Sequence, residues 1–195
     1  MFVLRFYVKI IHKELIKYRI ITHNKHMELK NISSGKNPPK EINVLIEISQ
    51  GSTVKYEIDK DSGLLAVDRF LYTSMTFPFN YGFVPQTKAK DGDPLDIVLI
   101  SSSPINPGSL IAARPIGMLQ MEDEAGLDNK IIALPAEKID PEYSQIQDIS
   151  GINDHTKQKI KHFFERYKEL EPEKWVKIKD FLGKEEAEKE IQMSL

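Results

Sequence analysis

The run Asp91-Gly92-Asp93-Pro94-Leu95-Asp96, continued at once by Ile97-Val98-Leu99-Ile100, constrains this chain more than any other segment. Gly92 and Pro94 interrupt any regular repeat and bend the backbone, so residues 91–96 read as a turn. The four apolar residues after it read as a buried strand. Three carboxylates are thereby crowded at the mouth of a rigid strand, where they repel one another. A hard cation such as Mg²⁺ or Ca²⁺, which prefers oxygen ligands, relieves that repulsion. A solvated acidic turn would carry the same residues, and this segment alone does not separate the two.

The chain has 195 residues, 41% of them hydrophobic, and a formal charge of −2. This predicts one soluble globular domain with a sizeable core. There is no cysteine, which excludes disulfides, thiolate metal sites and cysteine nucleophiles and leans towards a reducing cytoplasm. No apolar stretch is long enough to span a membrane. The charge is unevenly placed. Residues 1–26 hold Arg5, Lys9, Lys13, Lys17, Arg19 and Lys25 against Glu14 alone, a net +5 that leaves −7 for the rest. An acidic body argues against a general nucleic-acid binder.

Residues 1–26 differ in kind from the rest of the chain, mixing Phe, Ile, Tyr and Lys without Gly, Pro or Ala. They could form a basic amphipathic helix or a targeting peptide. The preferred reading is an upstream in-frame translation, with Met27 the true start and residues 27–195 the functional domain.

Ile42–Ile48 reads as a strand, and Gly51-Ser52 turns it into a second over Thr53–Asp59. Further strands are expected over Leu64–Phe70, Tyr81–Pro85, Leu95–Ile100, Ser109–Leu119 and Lys130–Leu134. Short strands separated by Gly and Pro predict a small twisted barrel. Two helices are expected late. One is capped by Asn153 or Asp154 and carries Thr156, Ile160, Phe163, Phe164 and Tyr167 at helical spacing; the other covers Glu185–Met193. The fold class is therefore mainly β with helices (α+β), a small barrel flanked by two helices in the C-terminal half.

A second acidic cluster, Glu122-Asp123-Glu124 with Asp128, precedes Lys130. Two such loops at strand ends could face each other across a barrel mouth and supply oxygens to more than one cation. Side chains alternate along a strand, so Lys55 and Glu57 share a face. Arg69, among apolar neighbours, needs an anionic partner, either a carboxylate or a ligand. The aromatic run around Tyr81 reads first as core, and Lys168 as a complement to a helix dipole. The histidines avoid the acidic clusters, which disfavours zinc. His162 reads as a packing or interface residue. No Walker-type loop appears, and the EF-hand pattern fails because Asp96 stands where its glycine belongs.

These pieces, in this order, resemble the soluble inorganic pyrophosphatases of the first family in their bacterial form. The family signature Asp-x-Asp-Pro-x-Asp stands here as Asp91 to Asp96. Lys55-Tyr56-Glu57-Ile58-Asp59, Val67-Asp68-Arg69-Phe70, Asn80-Tyr81-Gly82-Phe83, Asp123-Glu124-Ala125-Gly126 and Tyr167-Lys168 support it. The resemblance runs from about Met27 to the end. It implies an oligonucleotide-binding-like barrel that hydrolyses pyrophosphate to two phosphates by in-line attack of a metal-activated water, with several Mg²⁺ ions. It implies that Asp91, Asp96 and Asp128 hold the tightest metal, that Asp96 shares a second, and that Asp123, Asp128 and Glu57 hold others. Asp93 would accept a proton from the attacking water, and Tyr81 would hydrogen-bond near it. Lys55, Arg69, Lys130, Tyr167 and Lys168 would bind phosphoryl oxygens, and Glu47 would support them. The implied protein is a cytoplasmic homohexamer whose partners are pyrophosphate and phosphate, with no nucleic acid and no membrane. Phe77 stands where some bacterial members carry a site-facing tyrosine, so that role is not carried over. The competing readings are a nucleic-acid-binding barrel, which the acidic body opposes, and a structural cation-binding module, which leaves Lys55, Arg69, Lys130 and Lys168 without a common purpose.

Overall fold

The computed structural model describes residues 29–59 and 62–195; the basic extension 1–26 lies outside them. Nine strands are described: β1 (Ile42–Ile48), β2 (Val54–Ile58), β3 (Leu65–Phe70), β4 (Asn80–Phe83), β5 (Asp96–Leu99), β6 (Leu110–Asp123), β7 (Gly126–Leu127), β8 (Lys130–Pro135) and β9 (Val176–Leu182). Two α-helices lie late in the chain, α1 (Asp154–Arg166) and α2 (Lys184–Ser194). The expected class, mainly β with two C-terminal helices, is the class observed.

β1 pairs with β4, β4 with β5, β5 in parallel with β8, β8 with β6, and β6 back with β1. The ring of five strands thus closes on itself, which removes the exposed edges an open sheet would present. β6 makes closure possible by its length. Its first residues, Leu110–Ala113, pair with β1, and its far half pairs with β7 and β9. The sequence suggested that this strand stops at Leu119. It continues to Asp123 because β9 gives its backbone a partner, while Met121 points into the core. β2 and β3 form a separate hairpin beside the barrel.

Side-chain alternation divides the ring's apolar residues into two clusters. Ile97, Leu99, Ile131 and Ala133 join one, and Val98, Ile132 and Leu134 the other. Both faces of β8 are covered, so it reads as an unbroken apolar run rather than an alternating one. Gly82 in β4 is required by close approach: a Cβ there would lie 2.0 Å from the carbonyl oxygen of Leu45 on β1.

Asn153 caps α1, its Oδ1 accepting from the Thr156 amide at 2.9 Å. The helix buries Ile160, Phe163 and Phe164, and Phe163 packs on Phe77 with ring centres 4.8 Å apart. This apolar face is used up within the chain, so it does not by itself call for a second copy. His162 stays exposed on the opposite side rather than packing. α2 buries Ala187 and Ile191 in the same cluster as Leu95 and Ile97. Its last turn also accepts a hydrogen bond at Ser194 O from the Lys88 amide, 2.7 Å. The acidic turn is thereby pinned from behind by the C-terminal helix. Among the described residues no helix is long and apolar enough to cross a membrane.

Candidate active site

The acidic turn is built by its own backbone. The Ala89 amide donates to Asp93 O at 2.7 Å, the Gly92 amide to Ala89 O at 3.0 Å, and the Asp93 amide to Asp91 Oδ1 at 3.0 Å. Gly92 takes φ +93°, a left-handed conformation that a side chain would resist. Buried Thr87 fixes the exit, its Oγ1 accepting from the Leu95 amide at 2.9 Å and donating to Val84 O at 2.6 Å. The chain then enters β5 at Asp96, whose side chain emerges from the strand's first residue.

This turn, the β2–β3 hairpin, the β6–β7 connection, the start of β8 and the end of α1 surround one cavity of about 730 Å³. Every residue to which the resemblance gives a site role lines it: Glu47, Lys55, Glu57, Arg69, Tyr81, Asp91, Asp93, Asp96, Asp123, Asp128, Lys130, Tyr167 and Lys168; Glu122 and Glu124 of the second acidic cluster do not. The two acidic clusters do face each other across the barrel mouth, as expected. Phe77 does not line the cavity. It is 3% exposed and packs between Tyr81 and Phe163.

Each cation in the cavity has a carboxylate partner. Lys130 Nζ bridges Asp96, at 2.5 Å, and Asp128. Burial pulls the Lys130 pKa down, but the two carboxylates outweigh it and hold the ammonium above its ordinary value. Lys168 donates to Asp123 at 2.8 Å. Burial alone would raise the Asp123 pKa, yet this bond keeps it low. Lys55 reaches both Glu57 and Asp68, the latter at 3.1 Å. Arg69 Nε donates to Glu171 at 3.1 Å, and its Nη1 to Asp68.

Two uncharged or conditionally charged groups complete the wall. Tyr81 is buried, and burial with the nearby Asp96 and Asp128 charges pushes its pKa well up, so its hydroxyl remains a donor. Glu47 accepts from the Ile58 amide at 2.8 Å. Burial, assisted by Asp96 and Glu57, raises its pKa to about 7 despite that bond and Lys55.

Three participants were not singled out from sequence: Asp68, Glu171 and Lys174. Asp68 stands beside Arg69 and could have been suspected as its partner. Glu171 is 102 residues from Arg69 along the chain and carries no local signal. Lys174 lines the cavity and pairs with Glu124.

Among the described residues no three carboxylate or imidazole groups stand close enough to enclose a metal ion as placed. The donors at the cavity are nonetheless all hard oxygens, and the ammonium of Lys130 already stands between Asp96 and Asp128 as a cation would. The residues present therefore fit a hard divalent ion.

A barrel of this kind, with carboxylates and cationic side chains interleaved at one mouth, defines a site for a polyanion held together with cations, the class to which hydrolases of phosphoric anhydrides belong. The chain belongs to the inorganic pyrophosphatase family, whose model matches residues 44–195. It is 54% identical over 169 residues to the inorganic pyrophosphatase of Aquifex pyrophilus, covering 87% of this chain and 96% of that protein. Among solved structures it resembles an inorganic pyrophosphatase from Coxiella burnetii (49% identity, TM-score 0.81, 84% of this chain and 97% of that one). It also resembles that of Thermus thermophilus (41% identity, TM-score 0.82, 86% and 96%).

Proposed function

We propose that this cavity hydrolyses inorganic pyrophosphate to two orthophosphates by in-line attack of a water molecule, with Mg²⁺ as cofactor. The observation that carries the reading is the meeting of the Asp91–Asp96 turn with Lys55, Arg69, Lys130 and Lys168 in one cavity of a chain of this family. Asp91, Asp96 and Asp128 would hold the tightest ion, and Asp123 and Glu57 further ones. Bound there, Mg²⁺ supplies charge neutralisation of the phosphoryl oxygens and acidifies water.

The side chains do the rest. Lys55, Arg69, Lys130, Lys168 and the Tyr167 hydroxyl bind phosphoryl oxygens and align the anhydride. Positioning and charge stabilisation dominate such a transfer because little covalent help is possible. Asp93, exposed near the tip of the turn, takes the proton as the water oxygen bonds to phosphorus. The bridging P–O bond breaks and the second phosphate departs. Tyr81, a donor at neutral pH, orients the water or the Asp96 carboxylate beside it. Glu47 keeps the Ile58 backbone, and with it the Lys55 strand, in place.

The reading extends to several Mg²⁺ ions per site, a cytoplasmic location and a homohexamer. Exposed Leu64, Val67, Phe70 and Tyr72 beside and within the β2–β3 hairpin favour an oligomer. Phosphate release from pyrophosphate, measured with Mg²⁺ and with chelator, tests the function. Release that needs Mg²⁺ supports it; no release in either condition, or equal release in both, overturns it.

A further inference from the structure

Asp91-Gly92 is the one place in the sequence where an aspartate or asparagine precedes a glycine. Asp91, Gly92 and Asp93 are all exposed, at the tip of the acidic turn. Gly92 has no side chain to shield its amide nitrogen, and a Cβ there would meet nothing nearer than the Lys88 side chain at 3.8 Å. The Asp91 carboxylate folds back over this peptide, its Oδ1 accepting from the Asp93 amide at 3.0 Å. The ring that bond closes spans the Asp91–Gly92 peptide, so the carboxyl carbon and the Gly92 nitrogen share one small loop. The carboxylate is also the least restrained of those assigned to cations. Glu57 has Lys55, Asp96 and Asp128 share Lys130, and Asp123 has Lys168. Among the described residues Asp91 has no cationic partner, only the Asp93 amide.

We propose that Asp91-Gly92 is a modification site: in the metal-free chain it converts to isoaspartate through a cyclic imide, and a bound divalent cation holds it in its native form. The step needs no co-reactant but water. The Gly92 nitrogen bonds to the Asp91 carboxyl carbon, and the carboxyl hydroxyl leaves with the nitrogen's proton as water. Water then adds to the five-membered imide. Breaking the bond from nitrogen to the side-chain carbonyl restores aspartate; breaking the bond to the main-chain carbonyl leaves isoaspartate. The main chain then runs through the former side chain, one carbon longer, and the freed carboxylate sits directly on Cα. The Asp93 amide loses its acceptor, and a cation ligand leaves its place beside Asp96. The Gly92 amide donates to Ala89 O at 3.0 Å, so the turn must open before the ring closes. At an exposed tip such opening costs little. A cation on the Asp91 carboxylate opposes both the opening and the departure of the coordinated oxygen. This protection rests on the metal-binding reading of Asp91.

The test holds metal-free and Mg²⁺-loaded protein at neutral pH and physiological temperature, digests both, and labels the fragments with an isoaspartate-specific methyltransferase. A synthetic peptide of residues 88–96 is the unfolded reference. Label should build up in the fragment containing Asp91 of the metal-free protein, more slowly than in the peptide. If only the metal-free form reacts, Mg²⁺ divides the rate by 1 + [Mg²⁺]/Kd, about tenfold at a free concentration roughly ten times Kd. The labelled fraction should equal the fraction of Mn²⁺ sites lost in titration calorimetry. Asp91→Glu, which would have to close a larger ring, should stay unlabelled there. Label in the peptide with none at Asp91 of the metal-free protein overturns the site. Label at Asp91 that builds up equally fast with and without Mg²⁺ overturns the protection, and Asp91→Ala then separates the causes. If that variant binds Mn²⁺ as tightly as wild type, the metal-binding reading of Asp91 has failed. If it binds more weakly, that reading stands and the protection alone is wrong.

Discussion

Lys130 Nζ lies 2.5 Å from Asp96 Oδ2, and the same ammonium contacts Asp128. An internal cation thus occupies the position between two carboxylates assigned to a metal. It keeps the metal-free cavity from being torn by its own charge, and it must give ground when a divalent ion enters. Replacing it by Gln should lower the melting temperature of the metal-free chain, since two partly buried carboxylates then face each other without their shared cation. The increment in melting temperature on adding Mg²⁺ should grow. The Michaelis constant for pyrophosphate should rise by about tenfold or more, because an anion-binding charge is lost. Thermal melts with and without Mg²⁺, beside steady-state kinetics, check all three; an unchanged Mg²⁺ increment would contradict the account.

Glu171 and Arg69 carry a second expectation. The Glu171 side chain is 9% exposed and accepts from Arg69 Nε at 3.1 Å, fixing the guanidinium at the cavity wall. Glu171→Gln should keep a weaker hydrogen bond while releasing that hold. The Michaelis constant for pyrophosphate should rise several-fold, on the order of 1 kcal/mol of lost orientation, with turnover at saturating substrate changed much less. Equal loss in both parameters would assign Glu171 a different role.

Much of this was legible in the sequence, and the reasons are local. The Asp91–Asp96 turn announces itself through Gly92 and Pro94, and β1 through an Ile/Val/Leu-rich run, interrupted only by Asn43 and Glu47, whose bounds the structure matches residue for residue. The α1 cap at Asn153 and its apolar spacing are likewise intrinsic to a dozen residues. What was not legible depends on distant chain. β9 alternates only over Val176-Lys177-Ile178-Lys179 before Asp180-Phe181-Leu182 breaks the period, a short strand signal that becomes an element only where β6 is there to pair with it. The partnership of Glu171 with Arg69 arises only when separate elements pack. The resemblance to a known family, rather than spacing, connected Lys55, Arg69, Tyr81 and Lys168 to one site.

Glu47 gives a pH expectation. Its pKa is raised from 4.5 to about 7 by burial and by the Asp96 and Glu57 charges. Below about pH 4.5 the group is protonated whether the chain is folded or not and contributes nothing to the pH dependence. Between 4.5 and about 7 it holds its proton only in the folded chain, so rising pH costs stability. Above about 7 the full penalty, on the order of 3 kcal/mol, is present. Bound cations favour the ionised form, so the effect belongs to the metal-free chain. Denaturant unfolding of metal-free wild type and Glu47→Gln at pH 5 and pH 8 should show the wild type losing ground to the variant at the higher pH. Parallel pH curves would contradict the assignment.

Ca²⁺ should inhibit. It is larger than Mg²⁺ and tolerates looser coordination, so the same carboxylates should take it while water and phosphoryl group are held less closely in line. Added to the Mg²⁺-supported assay, Ca²⁺ should depress phosphate release competitively with Mg²⁺. Hydrolysis supported by Ca²⁺ alone at Mg²⁺-like rates would count against the geometry proposed.

The proposed mechanism divides the labour of one turn: Asp91 would hold a cation and Asp93 would move a proton. The most direct measurement pairs Mn²⁺ titration with pyrophosphate turnover for Asp91→Asn and Asp93→Asn. Asp93→Asn should bind Mn²⁺ nearly as wild type does yet turn over about 10²-fold more slowly or worse, the scale of losing a general base, and Asp91→Asn should lose Mn²⁺ affinity. Equal loss of Mn²⁺ affinity in both variants, or near-normal turnover in Asp93→Asn, would contradict it.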